Sequence, residues 1–167
     1  MQGKIALEEH VAIEPTLGDS QVFGAHVWKD LSHRLVDVQD TRLGEMDRHG
    51  IELMILSLNA PAVQAIHDVK SAIKVARQAN DVLAAEVRKR PDRFASFAAL
   101  PMQDPEAATA ELTRLLLADR NDVMAQRAAP LLAKGGAFIA VGALHLSGKR
   151  GIIEILRHEG YQVTNVW

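Results

Sequence analysis

The sequence contains no cysteine, which excludes disulfides, thiolate catalysis and zinc–cysteine sites. Aromatic residues make up only 4% of it, too few for the stacking platforms that bind bases or sugars. Neither sign of charge dominates: 19 Lys and Arg stand against 21 Asp and Glu, a formal net charge of -2. Nucleic acid and anionic membrane are therefore not expected as partners. No apolar run approaches the ~20 residues that span a bilayer, and no basic-then-apolar leader opens the chain, so the expected location is the cytoplasm. What remains is ordinary for a globular protein: 167 residues, 48% hydrophobic and 24% charged, enough for one domain with a real core.

Two hydrophobic periods alternate along the chain. "KIAL" (Lys4 to Leu7) is a short strand-like run, and a loop carrying Pro15, Gly18 and Gly24 follows to about Asp30. Leu31, Leu35, Val38, Leu43 and Met46 mark a helix face that ends at "RHG", where Gly50 is free to take a left-handed cap. "IELMILSL" (Ile51 to Leu58) is nearly continuous in apolar residues, as a parallel strand covered on both faces would be. Val69, Ile73, Ala76, Leu83 and Val87 line a second helix, and "RFASFAAL" (Arg93 to Leu100) is a third strand. Asp104 and Pro105 start a helical stretch that runs to about Lys134, with a break expected near Asp119 to Asn121. "AFIAVGALH" (Ala137 to His145) reads as a fourth strand, "GKRGIIEILRHEG" as a helix and "YQVTNVW" as a fifth strand.

This order predicts a single α/β domain of about five parallel strands with right-handed crossover helices. Five strands do not close an eight-stranded barrel, so the expected forms are a partial (β/α) barrel or an open three-layer sandwich. Ligands are expected at the carboxyl ends of the strands, and unpaired edges of a partial barrel predict self-association.

Strand alternation puts Glu8 and His10 of "ALEEH" on one face and Glu9 on the other. A carboxylate and an imidazole converging at a strand end make half a site for a divalent metal, while a solvated strand end explains the same residues without one. His145, closing "VGALH", is a candidate third ligand at the same sheet edge, or else a capped strand end. His49 and His158 close helices, where compensation of the helix dipole accounts for them. "LSGKRG" is not a Walker loop: Ala143 stands where its first glycine would be, and Arg150 where Ser or Thr is needed.

The stretches "MQGKIALEEHVAI", "HRLVDVQDTRLGEMDRHGIELMILSLNAPAVQAI", "ARQANDVLAAE" and "KRPDRFASFAALPMQDPEAATAELTR" closely resemble the start of gamma-resorcylate (2,6-dihydroxybenzoate) decarboxylases. These are metal-dependent (β/α)8 barrels of the amidohydrolase superfamily. The resemblance implies a divalent metal, zinc or manganese, bound through Glu8 and His10. It further implies a small aromatic carboxylate bordered by Phe23, Asn59 and Ala60. Later-strand ligands of that family, a histidine and an aspartate, have no matching segment here. From about Leu115 the chain resembles instead the C-terminal part of TraB/GumN-type proteins. The "RN" pair and the "VGAxHLxGxxG" pattern fall on Arg120, Asn121, Gly142, His145, Gly148 and Gly151. That second resemblance makes Arg120 and His145 catalytic candidates and places a junction of sequence origin near 114–116.

Overall fold

A computed structural model describes residues 3–22 and 24–164. They fall into two compact units, the first ending at Ala108 and the second beginning at Thr109.

The first unit is built of βα repeats. Strand β1 (Lys4–Val11) leads through a 3-10 turn (Glu14–Ser20) to helices α1 (Ala25–Val36) and α2 (Thr41–His49). Strand β2 (Ile51–Leu58), helix α3 (Val69–Lys89) and strand β3 (Phe94–Ser96) complete it, and helix α4 (Pro105–Thr113) follows. The sheet order is β1-β2-β3, with both pairs parallel. Among the described residues there are thus three strands, not about five.

The segment expected to form one helix from Leu31 to Met46 is two. The Asp37 carboxylate accepts hydrogen bonds from the backbone N–H of Asp40 (3.0 Å) and of Thr41 (2.9 Å), so the chain turns and restarts as α2. Those bonds, with that to the Thr41 side chain foremost, hold the Asp37 carboxyl down at about 2. Gly50 ends α2 in the left-handed conformation, at φ 64°. Asp68 caps α3 by accepting from Ser71 N (2.8 Å), and Asp104 does the same for α4 through Ala107 N (2.9 Å).

The core of this unit lies on one face of the sheet. Met54 and Leu56 of β2, Phe94 of β3 and Val11 of β1 pack with Met46 of α2 and Leu83 of α3, all buried. The opposite face is barely covered: Leu53 and Ile55 are half-buried, and Ile5 is 58% exposed. The apolar run of β2 therefore does not mean two covered faces within this unit. A closed barrel would supply the second cover from strands that these residues do not include.

The second unit is helical. A π-helical turn (Arg114–Ala118) joins α4 to α5 (Asp119–Leu132), and a 3-10 turn (Ala143–His145) precedes α6 (Ile152–His158). The expected break near Asp119 is instead this π turn, which inserts extra residue length into a continuous helix. Residues 137–142 form no strand, and Phe138 is 92% exposed. A strand needs a ladder partner for its N–H and C=O groups, and none lies beside this segment among the described residues of the unit. Residues 161–164 are likewise without strand structure, and the rest of the expected fifth strand lies outside the described residues.

Candidate functional site

In the first unit the candidate site sits at the carboxyl end of β1. Between Ala6, paired with Met54, and Glu9, paired with Leu56, β1 carries one residue more than β2. This is a β-bulge, and Glu8 within it has φ 58°. The bulge breaks the simple alternation: Glu9 and Val11 fall on the face of Met54 and Leu56, and His10 falls in register with Ser57. Glu8 and His10 are both exposed.

Glu9 is not a bystander. Its carboxylate lies 3.9 Å from Arg42 of α2, whose guanidinium also donates to the carbonyls of His10 (2.7 Å) and Arg34 (3.0 Å). Burial pulls Arg42 below its ordinary value, against the opposing pull of Glu9 and Asp37. Arg42 thereby ties the end of β1 to the helices. Glu8, His10, Arg34, Thr41, Arg42 and Glu45 line a cleft of about 380 Å³ beside it. Arg42 had no signal in the sequence, because its partners are mainly backbone carbonyls 8 and 32 residues away.

A second cavity, about 390 Å³, lies at the carboxyl ends of β2 and β3 and includes Ser57, Asn59, Ala60, Phe97, Leu100 and Met102 in its lining. Asn59 is 2% exposed and its amide is saturated. Its Nδ2 donates to the Thr16 carbonyl and to Ser20 Oγ, and its Oδ1 accepts from Thr16 Oγ1, each at 2.8 Å. Asn59 therefore pins the turn 14–20 over the end of β2. Asn59→Ala should destabilise the first unit by about 2–3 kcal/mol, because buried polar groups of Thr16 lose their partners. Urea unfolding and faster amide exchange confined to 14–20 would register it. Phe23 lies outside the described residues.

The donor chemistry at β1 suits a divalent metal: a carboxylate, an imidazole and, in register with His10, a Ser57 Oγ that is buried without a hydrogen-bond partner. The number of donors falls short. Among the described residues no group of three or more His, Cys, Asp or Glu side chains is gathered to hold a metal ion.

In the second unit His145 belongs to a 3-10 turn instead of a strand end. Its Nδ1 lies 2.6 Å from Asn121 Oδ1, and Asn121 Nδ2 donates to the Arg150 carbonyl at 2.7 Å. Asn121 is 2% exposed, whereas Arg120 is exposed. Arg150 pairs in turn with Asp119 (3.1 Å) and Asp122 of α5, bonds that raise its already high affinity for a proton, Asp122 foremost. Asp119 continues to Arg114 (2.7 Å) and Arg114 to the buried Glu111 (2.7 Å). Gly148 takes φ 91°, while Gly151 has an ordinary φ but no room: a Cβ there would meet the carbonyl oxygens of Leu146 and Ser147 at 2.5 Å. Among the described residues no helix is long and apolar enough to cross a membrane.

Comparison with known proteins gives two overlapping relationships. The pattern of the TraB/PrgY/gumN family matches residues 51–165. The N-terminal part is similar to gamma-resorcylate decarboxylase of Rhizobium radiobacter, 69% identical over 115 residues, which are 68% of this chain and 35% of that protein. It is 65% identical to the enzyme of Rhodococcus jostii, again over 35% of that protein. Among solved structures, 2,6-dihydroxybenzoate decarboxylase complexed with 2,6-dihydroxybenzoate superposes with a TM-score of 0.67 at 68% identity, covering 68% of this chain and 36% of that one. The dihydroxybenzoic acid decarboxylase of Polaromonas sp., with bound manganese and the inhibitor 2-nitroresorcinol, also gives 0.67, at 61% identity over 68% of this chain and 35% of that one. The chain spans about a third of the length of these curated relatives.

Proposed function

We propose, from the premise that the chain belongs to the TraB/PrgY/gumN family through residues 51–165 while its N-terminal part resembles the metal-dependent dihydroxybenzoate decarboxylases, that its first unit is a decarboxylase-type half-site for a divalent metal and an aromatic acid. Glu8 and His10 are the two metal ligands. The cavity beside Ser57, Asn59 and Ala60 takes the aromatic ring, with Phe97, Leu100 and Met102 as its apolar wall. A bound divalent metal would supply Lewis-acid polarisation of the acid's oxygens. The residues of this chain supply binding and orientation: Arg42 fixes the end of β1, and Asn59 fixes the turn above β2. Among the described residues, two ligands and the ring cavity make the first unit a half-site that binds and orients such an acid. One-sided pairing of β1 and β3 supports self-association as the state in which it works.

The observation that carries this reading is the backbone of Glu8. A non-glycine residue at φ 58° costs about 1–2 kcal/mol, and strain of this kind collects where a side chain has a task. Glycine would relieve it. Glu8→Gly should therefore leave the first unit at least as stable as before, by up to about 1 kcal/mol more. Urea unfolding tests this; a loss of stability would show that the Glu8 carboxylate holds the fold instead.

A second reading rests on the other unit, where the Asn121–His145 pair favours a TraB/GumN-like hydrolase or binding module that uses Arg120 and His145. On that reading His145→Ala abolishes the activity and Glu8→Ala leaves it untouched.

A further inference from the structure

The orientation of the Asn121 amide determines which nitrogen of His145 is available for chemistry. The Arg150 carbonyl can only accept a hydrogen bond, so the Asn121 atom 2.7 Å from it is the amide nitrogen. The atom 2.6 Å from His145 Nδ1 is then the amide oxygen, which can only accept. Nδ1 must therefore carry the hydrogen. We infer that Asn121 is a positioning residue that locks His145 in its Nδ1–H tautomer and leaves Nε2, with its lone pair, as the working nitrogen of the second unit.

The rest of the unit holds this lock in place. Asn121 is buried, so water does not compete for its amide. The Arg150 carbonyl is kept in reach because the Arg150 guanidinium pairs with Asp119 and Asp122, on the same helix as Asn121. The 3-10 bond from His145 N to the Gly142 carbonyl (2.9 Å) fixes the backbone that carries the ring. Protonation of the imidazole changes only Nε2, since Nδ1 keeps its hydrogen in either state. Nε2 is thus prepared to accept a proton from an acidic O–H or to donate its lone pair to an electrophile, without first exchanging tautomers. This assignment rests on the second unit alone and is independent of the decarboxylase-type reading.

The test is a two-bond 15N–1H correlation spectrum of the whole chain at a pH where the imidazoles are neutral, with His145 assigned by the signals lost in His145→Gln. The expected result is a pyrrole-type Nδ1 and a pyridine-type Nε2 in the wild type. Asn121→Ala, which removes the acceptor oxygen from Nδ1, should shift that pattern toward the Nε2–H form. A wild-type spectrum with the hydrogen on Nε2 overturns the inference whatever the variants do. So does an Asn121→Ala spectrum identical to wild type in a chain that remains folded by amide exchange.

Discussion

Gly151→Ala should cost the second unit about 3 kcal/mol or more and unfold the turn that carries His145. The reason is space and not dihedral preference. The φ of Gly151 is -73°, which any residue can adopt, yet a methyl group would lie 2.5 Å from two backbone carbonyl oxygens. Backbone atoms cannot swing aside as a flexible side chain can, so the 146–151 loop must open. Opening it withdraws the Arg150 carbonyl from Asn121 and the Leu146 carbonyl from Ile153 N. Gly148→Ala is the internal comparison: it meets nothing within 4 Å and carries only the penalty of φ 91°, about 1–2 kcal/mol. Amide exchange across α6 reads both, with the amides of α3 as reference. Equal effects of the two substitutions would mean that crowding adds no extra cost at Gly151.

The second large effect belongs to the first unit. Phe94→Ala should destabilise it by about 3–5 kcal/mol. Phe94 is 1% exposed and starts β3, where it pairs with Met54 and packs in the cluster of Met46, Leu56 and Leu83. β3 has only three residues, so few other contacts remain to hold it once the ring is gone. Phe97, three residues on and 49% exposed, gives the contrast: Phe97→Ala should change stability by less than about 1 kcal/mol. Urea unfolding followed by amide exchange in β2 and α3 distinguishes the two.

The parts of the fold that were legible in the sequence are those whose cause is local. Asp104 announces its helix because a carboxylate three residues ahead of a free N–H is a short-range device, and Gly50 announces an end for the same reason. The parallel βα order of the first unit was legible from the change of period between β1, α2, β2 and α3. What was not legible depends on partners far along the chain. The run 137–145 has strand composition, but a strand exists only with a neighbour to bond, and here it stays exposed. The extra residue in β1 is a matter of register against β2, which no inspection of "ALEEH" alone reveals. At the site, Glu8, His10 and Asn59 could be singled out by pattern and resemblance. Their surroundings could not: Arg42 works through carbonyls of remote residues, and Asn121 shows its role only beside His145 and Arg150.

The central claim is that Glu8 and His10 act together as half of a metal site, with Glu9 committed to Arg42. Manganese binding, followed by the loss of the free-ion paramagnetic resonance signal, tests it in wild type, Glu8→Gly, His10→Ala and Glu9→Gln. The account predicts weak binding in the wild type and in Glu9→Gln, reduced about tenfold or more in Glu8→Gly and His10→Ala. Equal affinity in all four chains would contradict it.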